Sequence, residues 1–196
     1  MIINVVGAGD NRPVIYALLK VCQTFGDVLL ISDRDYVFRL SNTGESGGHY
    51  QNVMVTYATG GIDDFLETFD YDFTDFSYTI TENSVEASAD LNIYVKSMSV
   101  ESNTDILEYF DDYVTIELYN PLVCKGPMFT RIEEFEALRD MCSMPQALIE
   151  ILAENVAKAF SISTKNFIAI ASKDPTKAPS PTFHDYVKLI KRRLKK

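Results

Sequence analysis

The chain has 196 residues, 46% of them hydrophobic and 23% charged, and a net charge of −10. That balance is ordinary for a globular protein with one sizeable core, and no run approaches the roughly 20 apolar residues of a spanning helix. The N-terminus lacks a basic leader and runs directly into an apolar strand pattern, so a cytoplasmic protein is expected.

In chain order, IINVV (2–6) has the composition of a strand, and PVIYALLKVCQTF (13–25) that of a helix. Pro13 suits its first turn and Gly26 its end. DVLLIS (27–32) is a continuous apolar run, as a buried parallel strand would be. SNTGESGGHY (41–50) has loop composition, NVMVTYA (52–58) is a third strand, and IDDFLETF (62–69) a short acidic helix. FSYTIT (76–81) and DLNIYVKSM (90–98) follow as strands, then SNTDILEYF (102–110) as a helix capped by Ser102 or Asn103. YVTIELY (113–119) is a sixth strand. RIEEFEALRDM (131–141) and PQALIEILAENVAKAF (145–160) are helical, and FIAIAS (167–172) is a last strand. The alternation predicts one three-layer α/β domain over 1–172, with a mostly parallel sheet of about six or seven strands, P-loop-NTPase-like or Rossmann-like. KDPTKAPSP (173–181), with three prolines in nine residues, has linker composition.

The stretch VVGAGDNRP (5–13) stands where such a fold keeps its phosphate loop. A Walker A loop, GxxxxGK[ST], needs a lysine for the terminal phosphates and a hydroxyl for magnesium; neither follows these glycines. The dinucleotide pattern GxGxxG is met at Gly7 and Gly9 only, with Arg12 in the third position. Two readings stay open. Gly7 and Gly9 allow a sharp strand-to-helix turn, or the turn with Asn11 and Arg12 seats an anion or nucleotide at the helix N-terminus. Asp10 opposes the second. Asp33 and Asp35 form a D-x-D at the carboxyl edge of the second strand, where open α/β sheets bind ligands.

The order strand, glycine turn, helix, strand, D-x-D resembles the ParA/MinD family of deviant P-loop ATPases. Tyr78 through Glu82, and Ala89-Asp90 opening the next apolar strand, look like that family's later core. The resemblance implies a nucleotide site at the turn and a catalytic-strand aspartate. In this chain the family's two loop lysines have no counterpart between Gly7 and Pro13, and Thr81-Glu82-Asn83 stands in place of the aspartate. Without lysine and hydroxyl, hydrolysis loses its main electrostatic support. The resemblance therefore implies a pseudo-ATPase rather than an enzyme, with no cofactor expected and a nucleotide at the Gly7-Ala8-Gly9 turn as the alternative.

Other chemistry is sparse. Cys22, Cys124 and Cys142 show no CxxC spacing, and His49 and His184 are far apart, so no zinc site is expected. The acidic stretch 62–76 lacks the EF-hand order; it suits a solvated face or a docking surface for a basic partner.

Charge is unevenly placed. Residues 173–196 carry eight Lys/Arg against two Asp, a net of +6, which leaves residues 1–172 at −16. Written on a helix, 182–196 puts Phe183, Val187, Ile190 and Leu194 on one stripe beside Tyr186, with Lys188, Lys191, Arg192, Arg193, Lys195 and Lys196 supplying the charge. This basic amphipathic segment, similar to the membrane-targeting tail of the MinD branch, fits an anionic membrane surface or a groove on a protein partner or second copy. It also fits the chain's own acidic body. Nucleic acid suits it less, because phosphate alone does not use the apolar stripe. We therefore expect a non-catalytic assembly, positioning or scaffold module. It would act through protein partners, as a homodimer across the edge bearing Gly7, Arg12 and Asp33, with peripheral attachment to the inner face of the membrane. A Rossmann-like nucleotide-binding enzyme or sensor and a structural component of a multi-protein particle are the alternatives.

Overall fold

A computed structural model describes residues 1–37, 52–58, 60–68, 75–85, 88–97, 104–118 and 146–172. Six strands, β1 (Ile2–Val6), β2 (Val28–Ser32), β3 (Val53–Tyr57), β4 (Tyr78–Glu82), β5 (Leu91–Ser97) and β6 (Val114–Leu118), form one sheet in the order β3-β2-β4-β1-β5-β6. Every pairing is parallel, with Ile3 opposite Ile80 and Leu91, and Leu30 opposite Ile80 and Val55. The helices among these residues are α1 (Arg12–Cys22), α2 (Ile62–Thr68), α3 (Gln146–Val156) and α4 (Thr164–Ala171).

The sheet has helices on both faces, making a three-layer α/β domain. From β1 the chain passes through α1 and over β4 to β2; from β3 it returns through α2 to β4. These connections run in opposite directions along the sheet, and the right-handed rule places α1 and α2 on opposite faces. Two separate cores follow. Ile3, Val5, Val28, Leu30, Ile80, Ile93, Val95 and Ile116 pack under α1, α3 and α4. Leu29, Ile31 and Ala58 pack with Ile62 under α2. Burial on both faces explains why Val28 through Ile31 is apolar without alternation. Helix α1 is buried from Pro13 through Cys22, Lys20 included, and its other residues there are apolar or aromatic, as suits a helix enclosed by the core.

Three expectations change. FIAIAS is not a seventh strand but most of α4. Ser163, in extended conformation, accepts the amide of Asn166 through its hydroxyl at 3.2 Å and starts a helix there. Phe167 and Ala171, four residues apart, are then buried on one side, and Phe167 meets the ring of Phe160 at 6.0 Å. The segment 102–110 yields only a 3₁₀ turn, Asp105–Tyr109, after Thr104 rather than a helix capped by Ser102 or Asn103. The expected helix over 145–160 ends at Val156, and Ser161 turns the chain with φ of 53°. The loop 41–50, the helix 131–141, the linker 173–181 and the segment 182–196 lie outside the described residues.

The assignment of α4 is open to a direct check. Ser163→Ala removes the cap and should cost about 1 kcal/mol in urea unfolding, while Ser163→Asp should keep most of it. Equal stability of all three proteins would contradict a helix starting at residue 164.

Candidate functional site

Strands β1 and β4 are neighbours whose outgoing connections diverge, one toward β2 and the other toward β5. In an open parallel sheet that divergence opens a crevice beyond the carboxyl ends. Here the crevice is a cleft of about 330 Å³ lined by Gly9, Asp10, Asn11, Arg12, Arg34, Asp35, Tyr36 and Glu82.

Glu82, at the end of β4, is 2% exposed. It falls in the period-2 register of Ile80, on the α1 face of the sheet. Three donors from two other parts of the chain meet it. The Ser32 hydroxyl donates to Oε2 at 2.6 Å, the Tyr36 hydroxyl to the same oxygen at 2.7 Å, and the Asn11 amide to Oε1 at 3.2 Å. Burial pushes the Glu82 carboxyl above the usual carboxylate range, against the opposing pull of these bonds and the charge of Arg34. Burial, then the Glu82 charge and hydrogen bond, hold the Tyr36 phenol well above its ordinary value, so Tyr36 stays a donor. Both carboxylate oxygens are engaged, and the group knits β2, β4 and the start of α1 together.

The glycine turn is built differently from a phosphate cradle. A β-carbon at Gly7 would lie 2.5 Å from the Val95 carbonyl and 2.9 Å from Asn11 Oδ1, so glycine is needed for close approach to β5. The Gly7 amide donates to Asn83 Oδ1 at 2.9 Å, and Asn83 holds a left-handed φ of 60°, which asparagine tolerates. At the N-terminus of α1, the Arg12 amide donates to Asp10 Oδ1 at 3.1 Å. Pro13 has no amide hydrogen, and the Val14 and Ile15 amides donate to the Asn11 carbonyl at 3.1 and 3.0 Å. The donors an anion would use in this first turn are thus taken or absent. The Arg12 guanidinium is also held by Asp10, through Nε at 2.7 Å and through Nη2. Burial works against its charge, but the hydrogen bond and charge of Asp10 outweigh it and raise its pKa.

Of the residues singled out from the sequence, Gly9, Asn11, Arg12 and Asp35 share the cleft, and Gly7 lies beside it. Asp33 follows β2 but is not among the cleft's lining; its carboxylate is 3.6 Å from Arg34. Phe183 through Lys196 lie outside the described residues. Sequence reasoning had no role for Ser32 and Tyr36, and saw Glu82 only as the stand-in for a family aspartate. The available signal was the alternation Tyr78, Ile80, Glu82, which puts an acid in register with core positions. Among the described residues no group of three or more His, Cys, Asp or Glu is placed to hold a metal ion.

Linkage gives the pH dependence of this site. An acid whose pKa is higher folded than unfolded binds more protons in the folded state, so stability falls as pH rises from the ordinary carboxylate range through the raised value. Glu82→Gln removes that slope. Its stability relative to wild type should improve as pH rises above the ordinary carboxylate range, read as urea midpoints. Parallel profiles would show that burial of Glu82 is fully offset by its donors. Gly7→Ala should cost about 1–3 kcal/mol by overpacking against β5, measured the same way.

Compared with protein-family models, curated proteins and solved structures, the chain has no match.

Proposed function

We propose that this chain is a non-catalytic, ParA/MinD-like assembly or positioning module, a pseudo-ATPase that works through protein–protein contacts. The observation that carries this reading is the closure of the anion seat on α1: Asp10 occupies the first-turn amide and pairs with Arg12, while Pro13 removes a donor. A phosphate entering there would meet a carboxylate instead of free amides. Glu82 stands at the end of the strand beside the turn, yet its oxygens are committed to Ser32, Tyr36 and Asn11. The module would need no cofactor. Its basic segment 182–196 would tether it to an anionic membrane surface or a protein partner, giving a cytoplasmic protein peripheral at the inner face. No helix among the described residues is long and apolar enough to cross a membrane.

The cleft of about 330 Å³ at the switch point favours one second reading, a Rossmann-like nucleotide binder using the same turn. Calorimetry separates the two. Titration of the full chain with ATP, ADP, NAD and NADP, with and without magnesium, should give no binding heat at millimolar ligand. Micromolar binding that Gly9→Asp abolishes would overturn the pseudo-ATPase.

A further inference from the structure

The opposite end of the sheet carries a second cleft, of about 410 Å³, at the amino ends of β5 and β6. Its floor and rim include Tyr109, Phe110, Tyr113, Asp90, Asp111 and Asp112, and among the described residues no Lys, Arg or His lines it. The three large apolar side chains most exposed among the described residues are Tyr109 at 67%, Tyr113 at 40% and Met54, and the first two lie here. Exposed aromatic surface of this kind marks a contact site more often than an isolated exposed side chain does.

The walls are held in place. Asp90 Oδ2 accepts the Ile2 amide at 2.7 Å, tying the cleft to β1. The Asn92 side-chain amide donates to the Asp112 carbonyl at 3.3 Å, which joins β5 to the turn before β6. Tyr94 packs edge-to-face on Tyr113 with centroids 6.4 Å apart, fixing one of the exposed rings. Asp111 and Asp112 remain exposed beside them. Aromatic faces with carboxylates at their edge suit an occupant that is apolar and cationic at once, combining ring contact, cation–π attraction and ion pairing.

This chain carries such a segment. Residues 182–196 combine Phe183, Val187, Ile190 and Leu194 with a concentrated positive charge, and residues 173–196 together carry +6 against −16 elsewhere. The nine residues 173–181 follow directly after Ser172 and, extended as a proline-rich spacer, span about 28 Å. Strands of five to seven residues span about 17–23 Å, so that reach exceeds the length of the sheet from one end to the other. We propose that the aromatic, acidic cleft at the amino ends of β5 and β6 is the docking site of the chain's own basic segment 182–196. An anionic surface and the cleft then compete for the same cations, and the segment is released where lipid charge outweighs that of Asp111 and Asp112. This deepens the proposed function by giving the tether a resting place.

Zero-length carbodiimide cross-linking of the full chain tests it, with a mixture of isotope-labelled and unlabelled protein to separate contacts within and between molecules. We expect amide links from Lys188, Lys191, Lys195 or Lys196 to Asp111 or Asp112, within one molecule. They should form at about 0.1 M salt and be lost at about 1 M. Trypsin should cut residues 188–196 faster in a Tyr109→Ala/Asp111→Asn/Asp112→Asn variant, whose changes touch exposed side chains and leave both cores intact. Links to carboxylates elsewhere, links only between labelled and unlabelled copies, or equal trypsin rates would each overturn the proposal. Neither nucleotide nor lipid is present, so the outcome is independent of whether the turn at Gly7 binds a nucleotide.

Discussion

A carboxylate taken out of water must be met by donors, and the fold has to bring them from wherever in the chain they lie. At the carboxyl edge of this sheet Glu82 imposes that demand. Its donors are Asn11, 71 positions away, with Ser32 and Tyr36 at 50 and 46. Satisfying one buried group therefore fixes the entry of α1, the end of β2 and the end of β4 relative to one another. Those three points enclose the switch-point cleft. The cleft exists in its present shape because that acid is held.

The opposite face of the same strands solves a similar problem with neutral groups. Asn4, Thr79 and Thr81 are buried in the middle of the sheet, where apolar residues would be the simpler choice. The Thr81 hydroxyl donates to Asn4 Oδ1, and Asn4 Nδ2 donates to the Ser84 carbonyl. The Ser84 hydroxyl and the Val85 amide then donate to Asp63 in the first turn of α2. This chain of bonds ties α2 to the segment leaving β4, while Ile62 and Phe65 supply its apolar contact. Near the end of β4 each face of the sheet thus buries a polar group, Glu82 on the side of α1 and Asn4 with Thr81 on the side of α2.

Both arrangements bear on what the carboxyl edge can offer a ligand. A parallel sheet offers a ligand two things at its carboxyl edge: open amides at a helix N-terminus and side chains free to change partners. Here the first is consumed by Asp10 and the geometry of Pro13, and the second by the Glu82 cluster. An edge so internally satisfied is suited to presenting a constant shape. That constancy is the physical ground on which the proposal of an assembly module rests.

The sequence by itself determined the α/β alternation, because continuous apolar runs such as Val28–Ile31 and proline-started helices such as α1 are set by local sterics and burial on short length scales. It determined the uneven charge for the same reason: composition needs no coordinates. It did not separate FIAIAS as helix from strand, since a run of five apolar residues satisfies either period. What decided α4 was the bond its first-turn Asn166 amide donates to the Ser163 hydroxyl, and the space beside Phe160 for Phe167. The glycine turn was legible as a turn, yet the reason for Gly7 is a carbonyl of β5, some 88 positions on. The Glu82 cluster and the pairing of Asp10 with Arg12 at a helix start are likewise products of which strands lie side by side. Strand order in a parallel sheet is settled by crossovers between distant segments, and no local pattern carries it.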